Sequence, residues 1–154
     1  MAQAERLGQS IFLFGGTENT LLQLKKKLSA NFPALRIAGI LSPPFRPLTS
    51  EEDRDIIQTI NDSGSHTVWV SLGCPKQERW MEKHRHEIKS VMLGVGAAFE
   101  YHAGTLRRAP LWMQRSGLEW AYRLYRQPRA LWRRYLVTNT IFIFGLAKEL
   151  LFRR

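Results

Sequence analysis

Four short apolar runs, spaced by stretches of helical periodicity, constrain this chain more than any other feature. Residues 11–14, IFLF, end at Gly15-Gly16, and residues 36–41, RIAGIL, run into the loop SPPFRPLTS. Residues 67–72 end at Gly73, and residues 91–95, VMLGV, end at Gly96. Runs this short and this apolar fit strands buried on both faces. Between the first two, Thr17 or Asn19 caps a helix with Leu21, Leu22, Leu24 and Leu28 as its apolar face, and Pro33 follows it. Thr49 or Ser50 caps the next helix. Its first turn, EED, suits the positive end of a helix dipole, and Ile56, Ile57 and Ile60 form its inner face. A third helix is expected from about Lys76 to Ile88. Strand–helix alternation of this kind predicts an α/β chain: a Rossmann-like parallel sheet flanked by helices, with right-handed crossovers.

In an open α/β sheet, ligands sit beyond the carboxyl ends of the strands. Three such ends carry glycine here, at Gly15-Gly16, Gly73 and Gly96. The stretch LGCPKQERW, residues 72–80, follows a strand and opens a helix, so free N–H groups would point at a bound anion. The alternative, that Gly73-Cys74-Pro75 is only a compact turn, stays open on local pattern. Residues 96–110, GAAFEYHAGTLRRAP, offer flat faces at Phe99 and Tyr101 and a carboxylate at Glu100, or else a loop whose aromatics cap the core.

Other candidate chemistry is thinner. The single cysteine, Cys74, cannot form an intrachain disulfide, fits a reducing compartment and reads as packing or pocket lining. Asp53-Arg54-Asp55 reads as a solvated helix turn rather than a metal motif. His84 and His86 do not share a helix face, and Glu82 with His86 lacks a third ligand for zinc. No P-loop, nucleophile elbow or GxGxxG fingerprint is present. The first residues, MAQAERLGQS, lack the basic and apolar regions of a secretory signal.

Charge divides the chain. Of the net +10, residues 107–154 carry +9: ten Arg and one Lys against Glu119 and Glu149. We therefore expect a near-neutral core over 1–106 and a basic helical appendage over 107–154. Residues 117–126, GLEWAYRLYR, are amphipathic, and 139–152, NTIFIFGLAKELLF, are apolar around most of the circumference. The apolar run is far short of the ~20 residues that span a bilayer. It suits the interface, with Phe142, Phe144 and Phe152 among acyl chains, Trp132 and Tyr135 at headgroup depth and Arg134 on phosphates. An anionic membrane surface is the expected partner. Nucleic acid is the rival, but IFIFGLA has no role in gripping phosphates.

"LGCPKQERWM", "GVGAAFEYHAGTLRRAPLWMQRSGLEWAYRLYRQP", "LWRRYL" and the earlier "FLFGG" together resemble the WecG/TagA/CpsF family of bacterial glycosyltransferases, over nearly the whole chain. The resemblance implies transfer of an N-acetylmannosamine-type sugar from UDP to an undecaprenyl-diphosphate-linked acceptor, without a metal cofactor, at the cytoplasmic face of the bacterial inner membrane. A non-catalytic nucleotide- or membrane-binding module derived from the family is the alternative. By the same resemblance Gln77 is a donor-site contact, with Gly73 and Pro75 shaping its turn, and Gly96, Phe99 and Glu100 line the nucleotide pocket. Arg123 and Arg133 neutralise the leaving diphosphate, with Arg129 in place of the family's usual basic-Arg pair. Family members carry a longer N-terminal segment with an aspartate proposed as catalytic base. Glu100 is the stand-in here, and a partner chain or homo-oligomer is a further expectation.

Overall fold

The computed structural model of the protein describes residues 1–126 and 128–152; the side chains of residues 130, 133–135, 143 and 147–152 lie outside the described set. Two compact units divide the chain, Met1–Arg107 and Arg108–Arg154.

The first unit is built on four parallel strands: β1 (Ser10–Gly15), β2 (Arg36–Leu41), β3 (Thr67–Ser71) and β4 (Val91–Gly94), in the order β2-β1-β3-β4. All six residues of β1 are buried, as expected of a central strand covered on both faces. Side chains alternate along it. Phe12 and Phe14 join Val68 and Val70 in one core cluster, while Ile11 and Leu13 join another. Each such side chain, fully withdrawn from water, contributes about 1.5–3 kcal/mol.

Helices cover the two faces. Over one lie α2 (Glu18–Asn31), through Leu21, Leu24 and Leu28, and α5 (Ala98–Ala103), through Phe99 and Ala103. Over the other lie α3 (Ser50–Asp62), through Ile56, Ile57 and Ile60, and α4 (Lys76–Lys83), through Trp80. Thr17 caps α2 by accepting from the Thr20 N–H. Thr49 caps α3 in a capping box with Glu52. A short α1 (Ala2–Arg6) precedes β1.

Several local expectations are corrected. The run at 91–95 is not a strand buried on both faces: β4 is the edge of the sheet, and Val91 and Leu93 are exposed. Leu22 is 52% exposed, because it stands about 100° around the helix from Leu21 and off the buried stripe. The third helix stops at Lys83 rather than reaching Ile88: the Glu87 and Ile88 N–H groups both donate to the His84 carbonyl, so a turn delivers Ile88 to the core. Residues 98–103, open to a loop reading, form α5, ended by Gly104 at φ +79°.

The second unit holds α6 (Leu111–Arg115), α7 (Glu119–Arg126) and α8 (Pro128–Phe152). At 25 residues α8 is about 37 Å long. On it Leu136, Val137, Ile141, Phe142 and Phe144 are exposed. Among the described residues, no helix is long and apolar enough to cross a membrane.

Candidate functional site

The strand order sets where a ligand can enter. β1 is followed by β2 on one side, and β3 returns to its other side, so the crevice opens beyond the carboxyl ends of β1 and β3. Gly15 lets these strands close up there. Its φ is +105°, and a Cβ at this position would lie 2.3 Å from the Ser71 carbonyl oxygen. The same oxygen accepts from the Gly16 N–H at 2.9 Å.

Hydrogen bonds then run across all four strand ends. The Ser42 hydroxyl donates to the Gly16 carbonyl at 2.7 Å, and the Ser71 hydroxyl donates to the Gly96 carbonyl at 2.8 Å. The Gly96 N–H donates to Gln77 Oε1 at 3.1 Å, and Gln77 Nε2 donates to Glu78 at 3.0 Å. Gln77 is buried, and its amide ties the start of α4 to the loop after β4.

Above this floor lies a cleft of about 610 Å³. Gly16 and Thr17 at the start of α2, Gly73 and Lys76 at the start of α4, and Gly96, Ala97 and Glu100 around the start of α5 line one part. Asp53, Trp80 and Lys83, on the facing sides of α3 and α4, line another. Pro43, Pro44, Phe45 and Pro47 form an apolar wall in which Phe45 is 81% exposed. Arg46 clamps this wall to α3: its guanidinium donates to both Glu52 oxygens, at 2.8 and 2.6 Å, and to the Pro47 carbonyl. The Arg46 hydrogen bonds, with that from the Thr49 N–H, hold the Glu52 carboxyl down to about 2.

Of the residues singled out in the sequence, Gly16, Gly73, Gly96 and Glu100 meet at the cleft. Gly15 and Gln77 shape its floor from beneath, and Pro75 follows a cis Cys74–Pro75 bond in the turn. Phe99 is not at the cleft surface: it is 2% exposed and packs in the core with Leu21 and Leu24, because α5 turns its apolar side inward. Arg123 lies part-buried in α7, while Arg129 and Trp132 are exposed on α8 with Phe142 and Phe144. The side chains of Arg133, Arg134, Tyr135 and Phe152 lie outside the described residues. One oxygen stands out: Glu100 Oε2 is buried and, among the described residues, has no hydrogen-bond partner.

Asp53 overturns the reading of a solvated turn. It is 7% exposed. Trp80 Nε1 donates to its Oδ1 at 3.0 Å, and Lys83 Nζ donates to its Oδ2 at 2.5 Å. His84 Nε2 stands 3.1 Å from Oδ2, an ion-pair contact when the ring is protonated rather than an aligned hydrogen bond. The other ring nitrogen of His84 meets Glu87 Oε1 at 2.9 Å. Burial pushes the Asp53 carboxyl up, but the hydrogen bonds from Lys83 and Trp80 and the charge of His84 outweigh it and hold it below the ordinary aspartate range. With both oxygens so engaged, Asp53 is not arranged as a metal ligand. A signal was present in the sequence, since Asp53 shares the i, i+3, i+4, i+7 stripe of Ile56, Ile57 and Ile60.

Comparisons with known proteins identify the family. The family model described as "Glycosyl transferase WecG/TagA/CpsF family" matches residues 1–154. An N-acetylglucosaminyldiphosphoundecaprenol N-acetyl-beta-D-mannosaminyltransferase of Bacillus subtilis is 33% identical over 135 residues, covering 86% of this chain and 50% of that protein. A protein of the same name from Bacillus spizizenii is 31% identical over 135 residues, covering 87% of this chain and 50% of that protein. The chain thus spans about half the length of the curated relatives it matches.

Proposed function

The chain belongs to the glycosyl transferase WecG/TagA/CpsF family, and from that premise we propose that its strand-end cleft binds a UDP-sugar of the N-acetylmannosamine type. The sugar is passed to a polyprenyl-diphosphate-linked acceptor during synthesis of a cell-surface polysaccharide or teichoic acid. The names of the two Bacillus relatives support the substrate class.

The observation that carries this reading is the make-up of the cleft. Glycine turns and the N-terminal ends of α2 and α4 face a space large enough for a nucleotide sugar. Backbone N–H groups and the positive ends of helix dipoles suit a diphosphate. They matter most as the bond from sugar to diphosphate breaks and UDP leaves with the electron pair, since fixed donors are worth most where charge develops. Glu100 Oε2 supplies the complementary acceptor for a ligand hydroxyl or N–H. Gln77 acts by fixing the Gly96 turn rather than by reaching the ligand.

UDP binding by calorimetry tests the site. Glu100→Ala is expected to weaken UDP about tenfold, the effect of one hydrogen bond to a charged group. Equal affinity in wild type and variant would remove Glu100 from the site, and no UDP binding by wild type would remove the donor reading.

The second unit carries the membrane part of the proposal. Exposed Trp132, Ile141, Phe142 and Phe144 share α8 with a basic flank, the composition of a helix that lies in the interface at the inner face of the membrane. Sedimentation with vesicles containing an anionic lipid is expected to exceed that with zwitterionic vesicles and to fall in Phe142→Ser/Phe144→Ser. Binding indifferent to lipid charge and to these residues would rule out interfacial docking.

A further inference from the structure

We propose that the α3–α4 end of the cleft is a second diphosphate subsite, built on Lys83 and separate from the strand-end turns that take the nucleotide. It deepens the functional reading above and rests on it for the identity of the substrates.

The cations lining the cleft are not equivalent. Arg46 gives three of its five N–H donors to Glu52 and the Pro47 carbonyl, on the loop side of the cleft away from α4. Lys76 and Lys83 differ: seven residues apart on α4, they stand on one stripe two turns apart, about 10 Å along the axis. Lys76 is beside the Gly73 turn. Lys83 is at the far end, against α3.

Asp53 gives Lys83 its place. A solvated lysine samples many rotamers, but the buried Asp53 carboxylate holds this ammonium at 2.5 Å. Asp53 is itself fixed by Trp80 at 3.0 Å. The Lys83 side chain remains 65% exposed, and its ammonium has two further N–H donors beyond the one given to Asp53. The result is a positioned cation with donors to spare, lining the cleft whose strand-end turns we read as the nucleotide diphosphate site. A transfer between two diphosphate-bearing substrates brings two diphosphates to the protein: one departs with the nucleotide, and the other stays with the lipid-linked acceptor. Lys83 takes the second.

The test is calorimetry on the full chain with three ligands: UDP, inorganic diphosphate added to UDP-saturated protein, and geranyl diphosphate as a short lipid-diphosphate probe. Lys83→Met is expected to weaken inorganic and geranyl diphosphate about tenfold, the loss of one charge-assisted contact, with UDP affinity changed less than twofold. Lys83→Arg is expected to restore both. Thermal unfolding run in parallel separates loss of the subsite from loss of the fold. Should Lys83→Met unfold, Lys83→Gln and Lys83→Arg carry the comparison, and equal diphosphate affinity in those two overturns the proposal. Failure of inorganic diphosphate to bind beside UDP also overturns it, as does a Lys83→Met effect on UDP as large as that on geranyl diphosphate. If wild type ignores UDP, the donor reading fails by itself, and the geranyl diphosphate titration still decides for or against Lys83.

Discussion

Gly15→Ala is expected to lower the stability of the first unit by about 4 kcal/mol, one of the largest effects open to a single methyl group. Two costs combine. At φ +105° an L-residue is strained by about 1–2 kcal/mol. The added Cβ also meets the Ser71 carbonyl oxygen at 2.3 Å, and that oxygen belongs to the backbone of the neighbouring strand. A flexible side chain could swing away, but a strand paired to β1 and β4 cannot. Relief requires prising β1 from β3 at the floor of the cleft, with loss of the hydrogen bond from Gly16. Gly64→Ala is the control. Its φ is +60° with open space around it, so it is expected to cost only about 1 kcal/mol. Thermal or urea unfolding followed by circular dichroism reads both, and equal costs at the two positions would show that the strand ends do not approach so closely.

Asp53→Ala is expected to cost about 3 kcal/mol, because removing one partner strands several others. The Trp80 indole N–H is left buried without an acceptor, and His84, 2% exposed, loses its carboxylate neighbour. Asp53→Asn keeps an acceptor for Trp80 while removing the charge, and is expected to cost about half as much. The two variants also differ from wild type in pH dependence. The folded-state pKa of Asp53 lies below the ordinary aspartate value, so its contribution is fully present above that value, about 3.9, and is lost as pH falls through the lower folded pKa. Between about pH 4 and the acid limit, wild type should lose stability more steeply than Asp53→Asn. Parallel curves would mean that the carboxylate is not stabilised by its neighbours.

The α/β class was legible because each element records its surroundings in its own residues. The central strand β1, covered on both faces, reads as an unbroken apolar run, and the caps Thr17 and Thr49 announce their helices; the run at 91–95 reads the same way, yet as the edge strand β4 it leaves Val91 and Leu93 exposed. Glycine at three strand ends pointed to the ligand end of the sheet, where Gly16, Gly73, Gly96 and Glu100 line the cleft. Where two residue types share a property, the pattern gave out. Phe99 could stack on a ligand or fill the core, and only the direction in which α5 faces decides for the core. Gln77 could reach a ligand or a backbone N–H, and the Gly96 amide lies within its reach.

What the chain determined unaided is thus local: element types, the positions of turns, and the separation of a near-neutral core from a basic tail. These follow from interactions between residues a few positions apart, which linear spacing encodes. What tertiary structure alone decided is which polar groups are consumed and which stay open. Asp53 meets Trp80 and Lys83 across 27 and 30 residues, and among the described residues Glu100 keeps an oxygen without a partner. Such pairings depend on how helices settle over the sheet, and a charge that looks solvated along the chain can be buried once another helix closes over it.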